Sequence, residues 1–357
     1  MNLRDIAKLR LISQQIACPT AKEPSQTLAS MGSIQAQDYQ AALWAIGLRT
    51  QNTTQKDVEA TIANRKIIRL WLMRGTLHFV AASDVRWMLE LLAPRVIEGR
   101  AGRHRQLSLD DATFARAKKL LNETLQSGPL TRDQMFRALE RGGVSIEGQR
   151  GYHILWRTTL EGLICFGAQR GKEQTFVLLD QYVPKSSTMP RKEALGELAY
   201  RYFSSRGPAL IEDFVWWSEL KLSDAKAALE TAAPRLASKI VGGKTYWMPQ
   251  DFPETGEEQA AAFLLPAFDE YILGYRDRSA ALDQPDFKKA VSSNGIFYPT
   301  IILDGKVAGT WKRINEKGKT VIAIKPFKDL SPKQKHAVNL AGDQYGRFLE
   351  KPVSISQ

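Results

Sequence analysis

The chain has 357 residues, 43% of them apolar, enough for two to four units with cores of their own. No run of about 18 uncharged apolar residues occurs, and MNLRDIAKLR lacks the apolar stretch of a signal peptide, so a cytoplasmic protein with no membrane partner is expected. Net charge is +12 and the isoelectric point is about 9.6.

The distribution of charge says more than its sum. Residues 1–105 carry 15 Lys and Arg against 8 Asp and Glu, while the ratios are 10 to 9 for 106–184, 10 to 9 for 185–255 and 15 to 12 for the remainder. A local excess of this kind points to an anionic partner, and nucleic acid is the usual one for a basic cytoplasmic protein. A solvated basic surface is the alternative. Cys18 and Cys165 lie too far apart in sequence for a disulfide framework or a cysteine zinc site, and both are expected to be buried small side chains.

Read in order, residues 2–17 and 24–33 have helical spacing, the second opened by Pro24-Ser25. Between them and the apolar run Tyr39 to Leu48 lies Ser33-Ile34-Gln35-Ala36-Gln37-Asp38, which places two amides two residues apart just before a buried helix. In an extended segment such positions share a side and converge on one small object such as a water, and Asp38 is the expected N-cap of the helix that follows. The plain reading of the pair is a polar turn before that helix. Residues 54–65 form a further helix, and 67–81 read as two strands separated at Arg74-Gly75, so that helices followed by a strand pair give the order of a winged helix. A helix over 83–98 leads to Glu98-Gly-Arg-Ala-Gly-Arg-His-Arg105, the densest basic cluster, expected as a mobile loop that follows phosphates through Arg100, Arg103, His104 and Arg105.

From residue 110 the pattern repeats. Helices at 110–126, 132–141 and 149–164 precede a hairpin that turns near Gly171, and the third helix carries Arg150, His153 and Arg157 as candidate DNA contacts. Helices at 191–205, 211–219 and 223–232 precede a Gly242-Gly243 hairpin, and SGPLTRDQMFRAL aligns with RGPALIEDFVWWSEL, the mark of tandem modules. The tail from about 256 is different, with a buried run, the polar group Asp269 to Arg278, a hairpin turning at Asp304-Gly305, a strand at 320–327 and a closing helix at 331–349. The expected fold is α+β and mainly helical, with winged helices at 1–105, 106–184 and 185–255 and a C-terminal α+β unit at 256–357.

Several chemistries are disfavoured. The four histidines are scattered, and neither a P-loop, a Gly-x-Ser-x-Gly elbow nor a dinucleotide fingerprint occurs, so no metal and no cofactor is expected. Gln35-Ala36-Gln37, Leu72 to His78, Leu265 to Arg278 and the hairpin Pro299 to Trp311 together resemble the AlkZ/YcaQ-type family of winged-helix DNA glycosylases, over nearly the whole chain. The resemblance implies a C-shaped protein whose basic channel takes double-stranded DNA, monofunctional excision of N-alkylated bases, and in some members the unhooking of interstrand crosslinks. It further implies that Gln35 and Gln37 are the catalytic pair, and that a hairpin probes the minor groove, for which 299–311, with Lys312 and Arg313 at its end, is the candidate beside a core-sheet alternative.

The chemistry is coherent with that reading. A base alkylated at N7 or N3 of a purine is already cationic and needs little acid to leave, so oriented amide dipoles that hold a water suffice. Asp38 then caps the helix or orients one amide. Arg74, Thr76 and His78 are expected to line the channel, Arg276 and Arg278 to face DNA, and Asp269 and Glu270 to be structural. A monomer is expected. The alternative reading is a non-catalytic tandem winged-helix DNA-binding or regulatory protein, because a fold does not imply catalysis.

Overall fold

The computed structural model describes residues 1–185, 189–252, 261–316 and 319–356. Helices α1 (Leu3–Ser13) and α2 (Pro24–Met31) lead into a two-residue strand β1 (Ile34–Gln35), followed by α3 (Tyr39–Leu48), α4 (Gln55–Ala63), β2 (Ile67–Trp71) and β3 (Leu77–Ala81). Capping explains the helix starts: Asn2 and Asp5 form a capping box on α1, Thr54 and Asp57 form one on α4, and the Asp38 carboxylate accepts from the Ala41 N–H on α3. Then come α5 (Val85–Glu98), α6 (Ala101–Gln106), α7 (Asp111–Leu125), β4 (Leu130–Thr131), α8 (Arg132–Arg141), α9 (Arg150–Leu160), β5 (Ile164–Phe166), β6 (Thr175–Leu178) and the short α10 (Leu179–Tyr182). The third stretch has α11 (Arg191–Arg206), α12 (Ile211–Ser218), α13 (Leu222–Ala232) and the hairpin of β7 (Leu236–Val241) with β8 (Lys244–Pro249). The C-terminal stretch has β9 (Ala262–Leu265), α14 (Glu270–Leu273), α15 (Phe287–Ala290), β10 (Thr300–Leu303), β11 (Lys306–Glu316), β12 (Lys319–Pro326), α16 (Pro332–Leu349) and β13 (Val353–Ser356).

The strand pairs of the first two helical stretches do not stand apart. They join in one six-stranded sheet of order β1-β3-β2-β5-β6-β4, where Arg69 of β2 faces Phe166 of β5. One core runs from β2 through α5 and α9 to α11 and α13, and a second joins α3 to the five-stranded sheet β13-β12-β11-β10-β9 and to α16. The segment Ile34 to Ala36 lies on the seam: Ile34 and Ala36 belong to the second core, while Leu72 and Leu77 beside them belong to the first. Helix α3 is almost wholly buried, and its Gly47 is required by close packing, since a Cβ there would sit 2.3 Å from the Phe348 ring of α16.

Three expectations are corrected. The basic stretch after α5 is the helix α6 rather than a mobile loop, anchored by His104, whose ring is buried against Phe114 and Trp156. The 299–311 hairpin is core sheet and not a groove probe: β10 is buried throughout, Gly305 at the turn would place a Cβ 2.9 Å from that of Ala7, and the Tyr271 hydroxyl donates to the Gly305 carbonyl at 2.6 Å. Cys165 is buried, but Cys18 is exposed because it lies in the irregular turn after α1. Among the described residues no helix is long and apolar enough to cross a membrane.

Candidate active site

Gln35 ends β1 opposite His78 of β3, and the extended register continues one residue further because the Ala36 N–H donates to the Leu77 carbonyl at 2.7 Å. Gln37 follows at a bend two residues beyond Gln35, and both amide oxygens meet the β2–β3 hairpin, at Arg74 and at Leu77. Gln35 is buried, with its Oε1 accepting from Arg74 Nη2 at 3.3 Å, whereas Gln37 is exposed and its Oε1 accepts a long bond of 3.4 Å from the Leu77 N–H. Asp38 caps α3 through Oδ1.

The strand is fixed by buried charge. Arg206 at the end of α11 donates to the carbonyls of Met31 (2.7 Å) and Ser33 (3.0 Å) and forms an ion pair of 2.8 Å with Glu270, both side chains being fully buried. Glu270 also accepts from the Gln35 N–H (3.3 Å) and from the Trp217 indole (3.0 Å). On the next residue Arg69 gives Nε and Nη2 to the Ala36 carbonyl, at 3.2 and 2.8 Å. Burial pulls the Arg69 pKa down to about 10, which leaves it charged at neutral pH. A second buried pair, Arg49 with Asp269, is bidentate at 2.8 and 2.9 Å, and Gln14 links it to the Tyr275 hydroxyl, which donates to the Arg206 carbonyl. The acidic pair at 269–270 is thus a mount for the glutamine strand.

Arg74 sits in the left-handed turn between β2 and β3 with φ of 56°. Its guanidinium turns inward, to the Trp217 carbonyl and Gln35. His78 is fully buried, and burial together with the Arg74 charge pulls its pKa down to about 3. The imidazole is neutral at pH 7, so Nδ1–H donates to the Thr76 carbonyl at 3.0 Å and Nε2 is left as an acceptor toward Arg74 at 3.5 Å. It supplies no proton to a leaving base.

The other candidate DNA contacts divide by exposure. Arg100, Arg103, Arg105, Arg276, Lys312 and Arg313 are exposed and Thr76 is half-buried, with Arg103 donating to Gln149 and Arg313 to the Tyr345 hydroxyl. His78, His104 and His153 are buried, which corrects the expectation that they meet DNA; the last two pack ring against ring at 5.3 Å, and burial pulls the His104 pKa down to about 4. Arg150 is spent on the carbonyls of Leu107, Ser108 and Ser145, Arg157 pairs with Glu161 at 2.6 Å, and Arg278 lies half-buried between Trp216 and Phe297. These three are held within the protein rather than presented to a ligand.

Sequence reasoning missed Arg49, Arg69, Arg206 and Trp217. The signals were a lone arginine inside the apolar strand IIRLW and two adjacent carboxylates inside an apolar run, since buried acids require buried cations. Among the described residues no group of three or more metal-ligating side chains occurs.

Residues 28–348 match the family model described as DNA glycosylase AlkZ-like. A curated relative, "Interstrand DNA cross-link repair glycosylase" of Streptomyces sahachiroi, is 26% identical over 347 residues, covering 91% of each chain. The solved structure of Streptomyces sahachiroi DNA glycosylase AlkZ superposes with a TM-score of 0.82 over 100% of both chains at 22% identity, a likeness of fold. With a match that takes in Gln35, Arg74 and Glu270 together, the chain belongs to the AlkZ-like family of DNA glycosylases.

Proposed function

We propose that this protein hydrolyses the N-glycosidic bond of cationic N-alkylated purines in double-stranded DNA, with Gln35 and Gln37 as the catalytic pair. The observation that carries the reading is the pairing of a buried amide fixed by Arg74, on a segment whose backbone is tied at the Gln35 N–H and the Ala36 carbonyl, with an exposed amide at the bend that follows. Gln37 and the free oxygen of Asp38 hold a water below the sugar. Gln35 directs its dipole at the developing oxocarbenium ion, and the rigid strand keeps that geometry at little cost in reorganisation. The nearby carboxylate Glu270 is saturated with hydrogen bonds, and His78 is neutral; both fit a leaving group that carries its own positive charge.

The same reading extends interstrand crosslinks, for which the Streptomyces relative is named, to this chain. It also places duplex DNA in a channel walled by winged helices at 1–105, 106–184 and 185–255 and by the α+β unit at 256–357, with Arg100, Arg103, Arg105 and Arg276 on phosphates and the protein acting as a cytoplasmic monomer. The test is to incubate the pure protein, without added metal, with a duplex carrying one N7-methylguanine and to follow abasic-site formation. Abasic product supports the reading; tight binding without product, for this lesion and for bulkier cationic adducts, supports a non-catalytic DNA-binding protein instead.

A further inference from the structure

A large open cleft of about 980 Å³ begins at Asp38, one residue beyond the glutamine pair, and apart from Asp38 its lining takes no part in the proposed chemistry. Its walls are the start of α3, the lysines of α15, Tyr298, and the facing strands β11 and β12. Its rim is cationic: Lys288, Lys289, Lys312, Arg313 and Lys325 line it, against the single carboxylate of Asp38. Lys289 is paired with Asp286, but among the described residues Lys288, Lys312 and Lys325 have no carboxylate partner. On the β11–β12 ladder Lys312 faces Ala323 and Thr310 faces Lys325, so both lysines stand on one face of the hairpin. Like charges gathered without counter-charges mark a site for an anion.

The floor is of another kind. Trp44 and Trp311 close it as nearly buried rings whose indole N–H groups are committed inward, to the Leu264 and Leu265 carbonyls at 2.7 and 2.8 Å, so they offer no hydrogen-bond readout. Ahead of Tyr298 in the chain, the turn Ser292 to Gly295 is closed by Gly295 N–H to Ser292 O and by Ile296 N–H to Ser292 Oγ, both 3.0 Å. It holds Ile296 and Tyr298 outward, 45% and 41% exposed, while Phe297 between them turns in toward Phe268. A paired backbone would meet the cations and leave the exposed ring of Tyr298 uncovered. A strand with its bases unpaired would cover both, because every base has a flat π-face and every linkage a charge.

We propose that this cleft holds an unpaired segment of the DNA strand leading away from the glutamines, with Lys288, Lys312, Arg313 and Lys325 on its phosphates and Tyr298 against its bases. The inference rests on the DNA reading of the preceding subsection. It makes opening of the duplex next to the lesion part of binding, and makes the cleft tolerant of sequence.

The test compares two duplexes that carry the same stable abasic-site analogue, one fully paired and one with about four mismatched pairs beside the analogue. Binding is followed by fluorescence anisotropy over a range of salt. The wild type is expected to prefer the mismatched duplex by on the order of tenfold, and Lys312→Glu with Lys325→Glu, or Tyr298→Ala alone, to abolish the preference. The charge variant should also lower the salt slope by about 2, and the tyrosine variant should leave it unchanged. All three positions are exposed, and an unchanged melting temperature shows that the variants fold. Equal binding of the two duplexes by the wild type, or a preference that survives both variants, overturns the proposal. Its failure is separable from failure of the glycosylase reading: base excision without the preference sinks only the cleft, and the preference without excision sinks only the chemistry.

Discussion

Arg206 and Glu270 meet at 2.8 Å with both side chains wholly buried, whereas Lys312 and Lys325, on the wall of the cleft that opens beside Asp38, stand in solvent without a carboxylate partner among the described residues. Near Gln35 the buried cations are spent, Arg206 on Glu270, Arg69 on the Ala36 carbonyl and Arg74 on the Trp217 carbonyl and the Gln35 amide. At the cleft Lys289 is paired with Asp286, but the charge of Lys312 and Lys325 is left unmatched among the described residues. A buried ion pair gives little net stability over an apolar pair of similar size, because desolvation offsets the attraction. What Arg206 and Glu270 supply is position: they grip the carbonyls of Met31 and Ser33 and the Gln35 N–H, so a two-residue edge strand cannot slip. The exposed lysines do the reverse, remaining free until a polyanion arrives.

Substitutions that unbalance the buried side should show the largest effect. Glu270→Ala leaves Arg206 charged and unpaired in the core and is expected to cost about 3–5 kcal/mol, read as a shift in the urea unfolding midpoint. An unchanged midpoint would mean that the pair does not hold the strand. The next effect concerns pH. The His78 pKa is lowered on folding, from the ordinary 6.5 to about 3, so the unfolded chain takes up its proton first, and stability falls as pH drops through and below 6.5. The loss should reach about 2–3 kcal/mol near pH 4.5, and His78→Asn should flatten this part of the acid limb. For the same reason excision should show no His78 inflection between roughly pH 6 and 8.

Smaller effects separate exposed arginines from those held in pairs. Arg105→Ala should reduce the salt slope of duplex binding by about 1, as loss of one phosphate contact does. Arg157→Ala should leave the slope unchanged, since that guanidinium is already paired with Glu161, and should cost roughly 0–1 kcal/mol of stability. Equal slopes for the two variants would remove the distinction between free and committed cations.

The two regions also differ in how far the sequence discloses them. Helices α3, α4, α7 and α8 follow directly from apolar spacing and from their caps Asp38, Thr54, Asp110 and Thr131. The glutamine pair could be singled out because two amides before a buried helix have a chemical use. Its supports were harder to read, because Arg49, Arg69 and Arg206 are distant in sequence from the groups they hold; only Arg69, alone inside an apolar strand, carries a local mark of burial, and the marks at Asp269 and Glu270 do not say which cations meet them. The fusion of two strand pairs into one sheet rests on the single register Arg69 to Phe166, a long-range fact. Glycines at 99 and 102 suggested a loop, but the basic segment is helical because His104 buries its ring against Trp156. The Asp304-Gly305 turn was legible, though not its direction, which is set by packing on Ala7.

The central claim is that Gln35 and Gln37 perform the chemistry, and single-turnover excision of N7-methylguanine by the Gln35→Ala, Gln37→Ala double variant tests it most directly, with duplex affinity measured in parallel. The account predicts a fall in the excision rate of about a hundredfold or more with affinity nearly unchanged. Excision at the wild-type rate would contradict it.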